Sequence, residues 1–368
     1  MPSPRGEPSA GRGGASRVVV RRQRLLALTL LVLVLAAVVT VAALALGGEG
    51  GGSARPSGNA GRAPAAGAAK TQTAPPPAKA PPSSFAVGLR VLQLRDTTRT
   101  VTLPDGTTEP RSLLTYVRYP AQGAATGTDI AGAPAASAYG PFPLVVFGHG
   151  FDVTPTLYRR LLESWARAGY VVAAPAFPRE NADAPGGPDE SDLPNQPADM
   201  SFVITQLLAA SATGGGPLSG LIDPHRIAVT GQSDGGDTAL AAAYDPRFRD
   251  RRVGAAVILS GAEIPSEGSF TFPAGAPPLL ATQGTADTIN TPGETEAFFL
   301  AAQRPKYLLR LLGAGHLPPY STEQPQLGIV ERVTTAFLDG YLKHRPSALA
   351  RLSSLGAVPG ASSLLAEP

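Results

Sequence analysis

The chain has no cysteine. That excludes disulfides, thiolate metal sites, a cysteine nucleophile and a lipidated N-terminal cysteine. Histidine is nearly as scarce, with four among 368 residues, so a search for an imidazole base is short. The sequence shows no Gly-rich phosphate loop, and no His or carboxylate cluster has metal-ligand spacing. No metal and no cofactor are expected. Basic charge is missing where a nucleic-acid surface would need it. Residues 1–24 carry six Arg and one Glu, whereas residues 85–368 carry 21 basic and 26 acidic side chains. The long C-terminal part is mildly acidic, which argues against nucleic acid as its partner. There are no internal repeats.

The residues that are present divide the chain into five parts. Residues 1–24 form a basic tail. Leu25 to Leu46 is an uncharged run in which only Thr29 and Thr40 are polar. A run of about 20 apolar residues suffices to span a bilayer as a helix. The preceding Arg17, Arg21, Arg22 and Arg24 orient the N-terminus toward the cytoplasm and the remainder of the chain toward the exterior. Two exported forms are open: a single-pass membrane protein, or a secreted one cleaved after Ala43-Leu44-Ala45. The length of the run favours the retained anchor, because signal cores are about 7–15 residues. Residues 47–84, rich in Gly, Ala and Pro, cannot bury enough apolar surface to fold and are expected to be a disordered linker. Residues 85–345 have the pattern of a folded domain, expected to be monomeric, and 346–368 that of a weakly ordered tail.

Within 85–345 strands alternate with helices. FAVGLRVLQL and RSLLTYVRYP predict two strands joined through Asp105-Gly106. FPLVVFG, YVVAAP, RIAVTG, VGAAVILSG, PPLLATQG and KYLLRLLG are apolar runs of the kind buried on both faces. Between them lie helical stretches, including one opened by Thr154-Pro155, SFVITQLLAA with Asp199 as its cap, and TALAAAY. The alternation predicts an α/β protein: a mostly parallel central sheet with helices on both faces. The acidic stretch 178–199 is expected to be a solvated loop, and Trp165 a core residue.

Gly231-Gln232-Ser233-Asp234-Gly235 matches G-x-S-x-G between a strand and a helix, the context in which such a turn exposes a nucleophilic serine. The serine needs a base. His149 precedes the motif, in a G-H-G turn. His225 belongs at the surface, and His344 at a helix end. His316, in GAGHLPP after the late strand KYLLRLLG, is the candidate base. The acid should lie between them, and Asp287 follows PPLLATQG, with Glu263 as the runner-up. Backbone N–H donors for an oxyanion are expected from Asp234 and from Phe151 in FGHGFDVTP, whose ring could also line a substrate pocket. The Asp234 carboxylate should turn away from the oxyanion, toward an arginine or the helix N-terminus; facing the pocket, it would select cationic esters.

The segments PLVVFGHGFDVTPTLYRRLLESWARAGYVVAAPAFP, DPHRIAVTGQSDGG, QGTADTIN and GAGHLPPY together resemble exported bacterial α/β-hydrolases. The nearest branch contains dienelactone hydrolases, platelet-activating-factor acetylhydrolases and cutinase-like lipases. The resemblance covers about residues 85–345. It implies an α/β-hydrolase fold and the triad Ser233, Asp287, His316, with Phe151 and Asp234 as backbone donors. It further implies a serine carboxylic-ester hydrolase, working through an acyl-enzyme on a small-molecule or lipid ester. Gln232 and Asp234 stand where the polyesterases of that branch commonly have His and Met, so polymer degradation is not carried over. An envelope acyltransferase with the same triad and a non-catalytic envelope module on this scaffold are the alternatives.

Overall fold

In the computed structural model, which describes residues 81–368, the apolar runs lie side by side in one sheet. The tail 1–24, the apolar span 25–46 and most of the linker 47–84 lie outside the described residues. Among the described residues, no helix is long and apolar enough to cross a membrane.

The strands are β1 (Ala86–Thr102), β2 (Thr108–Ala121), β3 (Ile130–Ala131), β4 (Phe142–Gly148), β5 (Val171–Ala176), β6 (Ile222–Gln232), β7 (Val253–Leu259), β8 (Leu279–Gly284), β9 (Lys306–Leu311) and β10 (Ser362–Glu367). Their order across the sheet is β10-β9-β8-β7-β6-β4-β5-β2-β1-β3. From β5 to β9 all neighbours are parallel. The flanks are mostly antiparallel: β1 and β2 form the expected hairpin, β2 joins β5, and β10 joins β9, while the two-residue β3 runs parallel to β1. The sheet is therefore mixed, with a parallel centre.

The helices are α1 (Arg159–Arg167), α2 (Gln196–Ala212), α3 (Asp234–Tyr244), α4 (Pro292–Ala301), α5 (Pro318–Ser321), α6 (Gln326–Leu342), α7 (Pro346–Ala350) and α8 (Leu352–Gly356). Period-2 alternation sorts each central strand between two apolar layers. Leu144 and Val146 of β4 join a cluster with Met200, Val203 and Leu240 from α2 and α3. Val145 and Phe147 point the other way, to Leu162 and Trp165 of α1 and Val333 and Phe337 of α6. Both faces of the parallel centre are dry, which is why its strands read as unbroken apolar runs.

Three expectations are corrected. Residues 346–368 are not a weakly ordered tail. They form α7, α8 and β10, and β10 pairs along β9 from Ser362↔Leu311 to Glu367↔Lys306. Serines and glycines hid a strand that needs only one apolar face at the sheet edge. The acidic stretch 178–199 is not a solvated loop. Arg111 of β2, itself 1% exposed, makes a two-pronged contact with Asp192 at 2.8 and 2.7 Å and another with Asp199 at 2.9 and 2.6 Å. Bidentate pairs of this kind fix geometry as well as charge. Asp199 accordingly does not cap α2. The helix begins earlier, at Gln196, and Asp199 in its first turn faces the sheet arginine.

Candidate active site

β6 ends in a turn that only this sequence pattern permits. Ser233 has φ 57° and ψ −127°, a strained conformation for a residue with a side chain. The glycines on either side make the turn possible. A Cβ on Gly231 would collide with the Gly235 carbonyl, and one on Gly235 with the main chain of Gly148. The result lifts Ser233 to the carboxyl end of the parallel strands, at the start of α3.

Two loops at the same end bring the other expected groups to it. His316 Nε2 lies 2.8 Å from Ser233 Oγ, and His316 Nδ1 lies 2.7 Å from Asp287 Oδ2. The structure thus joins Ser233, His316 and Asp287 in one unbroken line of hydrogen bonds. Asp287 is further held by the Ile289 N–H on Oδ1 at 2.9 Å and by Gln283 Nε2 on Oδ2 at 3.2 Å. With Nδ1 taken by Asp287, Glu263 has no place in this line. The side chains of His316 and Asp287 are 3% and 0% exposed, so the pair is shielded from water. His225 is exposed, as expected, and so is His344.

The G-H-G turn after β4 packs directly on the serine. A Cβ on Gly150 would stand 3.1 Å from Ser233 Cβ. His149 sets the turn from within. Its Nε2 accepts the Phe177 N–H at 2.9 Å, so its proton sits on Nδ1, which donates to Gly150 O at 2.8 Å. Burial pushes its pKa down to about 4, and the ring is neutral. A trans peptide points its C=O and N–H in opposite directions. Fixing Gly150 O therefore aims the Phe151 N–H the other way, and among the described residues no carbonyl takes it up. The Phe151 ring packs on Ile289, two residues beyond Asp287.

Asp234 follows the serine and opens α3. Its side chain is largely buried and stands against the carboxyl of the fully buried Glu180. Burial first, and the Asp234 charge second, push the Glu180 carboxyl well above the usual carboxylate range. Sequence reasoning missed Glu180 because it sits in an irregular acidic stretch with no period to read. It also missed Tyr158, whose hydroxyl accepts the Gly150 N–H at 3.3 Å and donates to Gln232 Oε1 at 2.7 Å. Among the described residues no group of three or more His, Cys, Asp or Glu is placed to hold a metal ion.

A family model described as Chlorophyllase matches residues 130–259. The match takes in β3 to β7 and Ser233 but stops short of Asp287 and His316. No curated protein matches the chain. Among solved structures, a ferulic acid esterase from Streptomyces cinnamoneus superimposes with a TM-score of 0.54 at 23% identity, covering 74% of this chain and 94% of its own. That likeness is one of fold: a mixed sheet with helices, as in an α/β-hydrolase esterase. Taken together, the two comparisons support a carboxylic ester hydrolase.

Proposed function

We propose that this chain is a serine carboxylic-ester hydrolase of the exported α/β-hydrolase type that includes dienelactone hydrolases, platelet-activating-factor acetylhydrolases and cutinase-like lipases. The observation that carries the reading is the line Ser233 Oγ, His316 Nε2, His316 Nδ1, Asp287 Oδ2, at 2.8 and 2.7 Å.

In this reading His316 Nε2 takes the Ser233 proton as Oγ attacks the ester carbonyl. Asp287 holds the ring tautomer and stabilises the imidazolium. The carbonyl oxygen becomes an oxyanion, and the N–H groups of Phe151 and Asp234 receive it. As the tetrahedral intermediate collapses, His316 returns the proton to the departing alcohol, leaving an acyl-enzyme on Ser233. A water then repeats the sequence and frees the acid. The apolar Phe151 ring, backed by Ile289, suits an ester with an apolar acyl or alcohol part. A fluorophosphonate probe should label wild type and not Ser233→Ala, and p-nitrophenyl esters of increasing acyl length should be hydrolysed with a maximum that reports the pocket. Absence of both labelling and hydrolysis would defeat the reading.

Residues 25–46 bear on placement: we propose them as a membrane anchor holding the domain outside the cell on the linker 47–84. The full chain should resist extraction by carbonate, and external protease should release an active fragment. A mature N-terminus at Leu46 would show cleavage in place of anchoring.

A further inference from the structure

The oxyanion loop and the elbow helix come from distant parts of the chain, yet one buried residue touches both. The Asp152 N–H, in the peptide unit after the Phe151 N–H, donates to the main-chain oxygen of Glu180 at 3.0 Å. The Glu180 carboxyl stands against the side chain of Asp234. Gln196 Nε2 donates to Glu180 Oε2, and Gln196 Oε1 accepts the Thr238 hydroxyl of α3 at 2.8 Å. Glu180, Gln196 and Thr238 are each 0% exposed.

We propose that Glu180 is a positioning residue for both oxyanion donors: its carbonyl holds the Phe151–Asp152 loop, and its carboxyl holds Asp234 at the start of α3. The inference rests on the hydrolase reading above. Asp152 has φ 54°, so the loop needs an external tie to keep the Phe151 N–H aimed at the reaction. Asp234 poses a separate problem, because its carboxylate belongs to the same residue whose N–H must attract a negative oxygen. A hydrogen-bond donor on that carboxylate holds it away from the oxyanion and spreads its charge.

Glu180 can serve as that donor only if it keeps its proton. Its surroundings arrange this. It is buried, and the charged groups that act on it are the carboxylates of Asp234 and Glu190, both of which disfavour a second negative charge. Burial and these two carboxylates thus favour the protonated form of the Glu180 carboxyl.

The test uses Glu180→Met, which fills the space without a donor, and Glu180→Gln, which restores a neutral donor and acceptor. With the wild-type protein hydrolysing a p-nitrophenyl ester, Glu180→Met should lower kcat about 100-fold with KM within about threefold, as expected when an oxyanion donor is misplaced. Glu180→Gln should return kcat to within about threefold of wild type. Circular dichroism and thermal melting establish that each variant is folded. If Glu180→Met fails to fold, Glu180→Gln still decides. A folded Glu180→Gln with kcat below about a tenth of wild type overturns the proposal, and so does a Glu180→Met variant with wild-type kcat. If wild type shows neither turnover nor fluorophosphonate labelling, the hydrolase reading falls and the positioning role falls with it. Turnover that is lost in Ser233→Ala but indifferent to Glu180 removes the positioning role alone.

Discussion

Gln232 donates from Nε2 to the main-chain oxygen of His316 at 3.1 Å. The residue before Ser233 thereby grips the loop that carries His316. The other end of the same amide accepts the Tyr158 hydroxyl, which in turn accepts the Gly150 N–H. An amide suits this place because it offers one donor and one acceptor in a fixed plane. One of the two side chains that depart from the pattern of the polyesterases thus ties together the His316 loop, the Ser233 turn and the G-H-G turn.

Tyr158→Phe should expose what that tie is worth. It removes one hydroxyl and leaves Gln232 Oε1 and the Gly150 N–H without partners in a buried place. Unsatisfied buried groups of this kind destabilise by about 1–3 kcal/mol each before any relaxation. We expect a loss of stability in that range by urea unfolding, and a fall in kcat of about tenfold with KM little changed. Unchanged kcat together with the stability loss would make the tie structural only.

Ser233→Ala, His316→Ala and the double variant should each lose esterase activity by a similar factor, on the order of 10⁴ or more, because the three groups act as a unit. Asp287→Asn should lose on the order of 10⁴-fold as well, since the amide favours the wrong tautomer. Glu263→Gln should leave turnover near wild type. The reverse pattern for Asp287 and Glu263 would overturn the assignment of the acid.

His149 predicts an acid-sensitive fold. Its folded pKa is down at about 4, by burial, against about 6.5 in an unfolded chain. The stability this neutral ring contributes is fully present above about pH 6.5. As pH falls from there toward about 4, the unfolded chain binds a proton that the folded one refuses, and stability drops. The whole shift corresponds to about 3 kcal/mol, an upper figure for a group this deeply buried. Urea midpoints measured between pH 7 and pH 4 should fall for wild type. They should fall less steeply for His149→Asn, which keeps a donor for Gly150 O but does not titrate. Parallel curves would show that other groups govern the acid limb.

The legible part of the site was the part with a local signature. Gly231 to Gly235 announce the strand-to-helix turn by themselves, and scarcity with chain order singled out His316, which the structure brings to Ser233. Asp287 could be found because β8 ends clearly at Gln283-Gly284. The features that escaped were long-range and polar. Asp234 stands beside Glu180, 54 positions earlier in the chain. No period connects them, because the stretch holding Glu180 is fixed by ion pairs to Arg111 and not by an apolar face. Edge strand β10 escaped for a related reason, since only one of its faces is packed and its neighbours are Gly, Ser and Pro.

That strand yields the last prediction. Cutting the chain after Arg345 would have removed nothing if 346–368 were a loose tail. In the structure the cut removes β10 and bares the outer edge of β9. It also deletes Leu352 and Ala361, which are 1% and 8% exposed in the α1–α6 layer. Glu367, which lies 3.0 Å from Arg304 and 3.9 Å from Lys306, goes with them. Lys306 keeps its bonds to the carbonyls of Phe299 and Leu300 at 2.9 and 3.2 Å, so the greater loss is apolar burial and edge protection. An uncovered strand flanked by leucines is a template for pairing with another copy. We therefore expect residues 85–345 to melt at lower temperature than 85–368 and to elute as aggregates in size-exclusion chromatography with light scattering, at equal concentration. A truncated domain that stays monomeric with an unchanged melting temperature would mean that β10 contributes nothing to the sheet it completes.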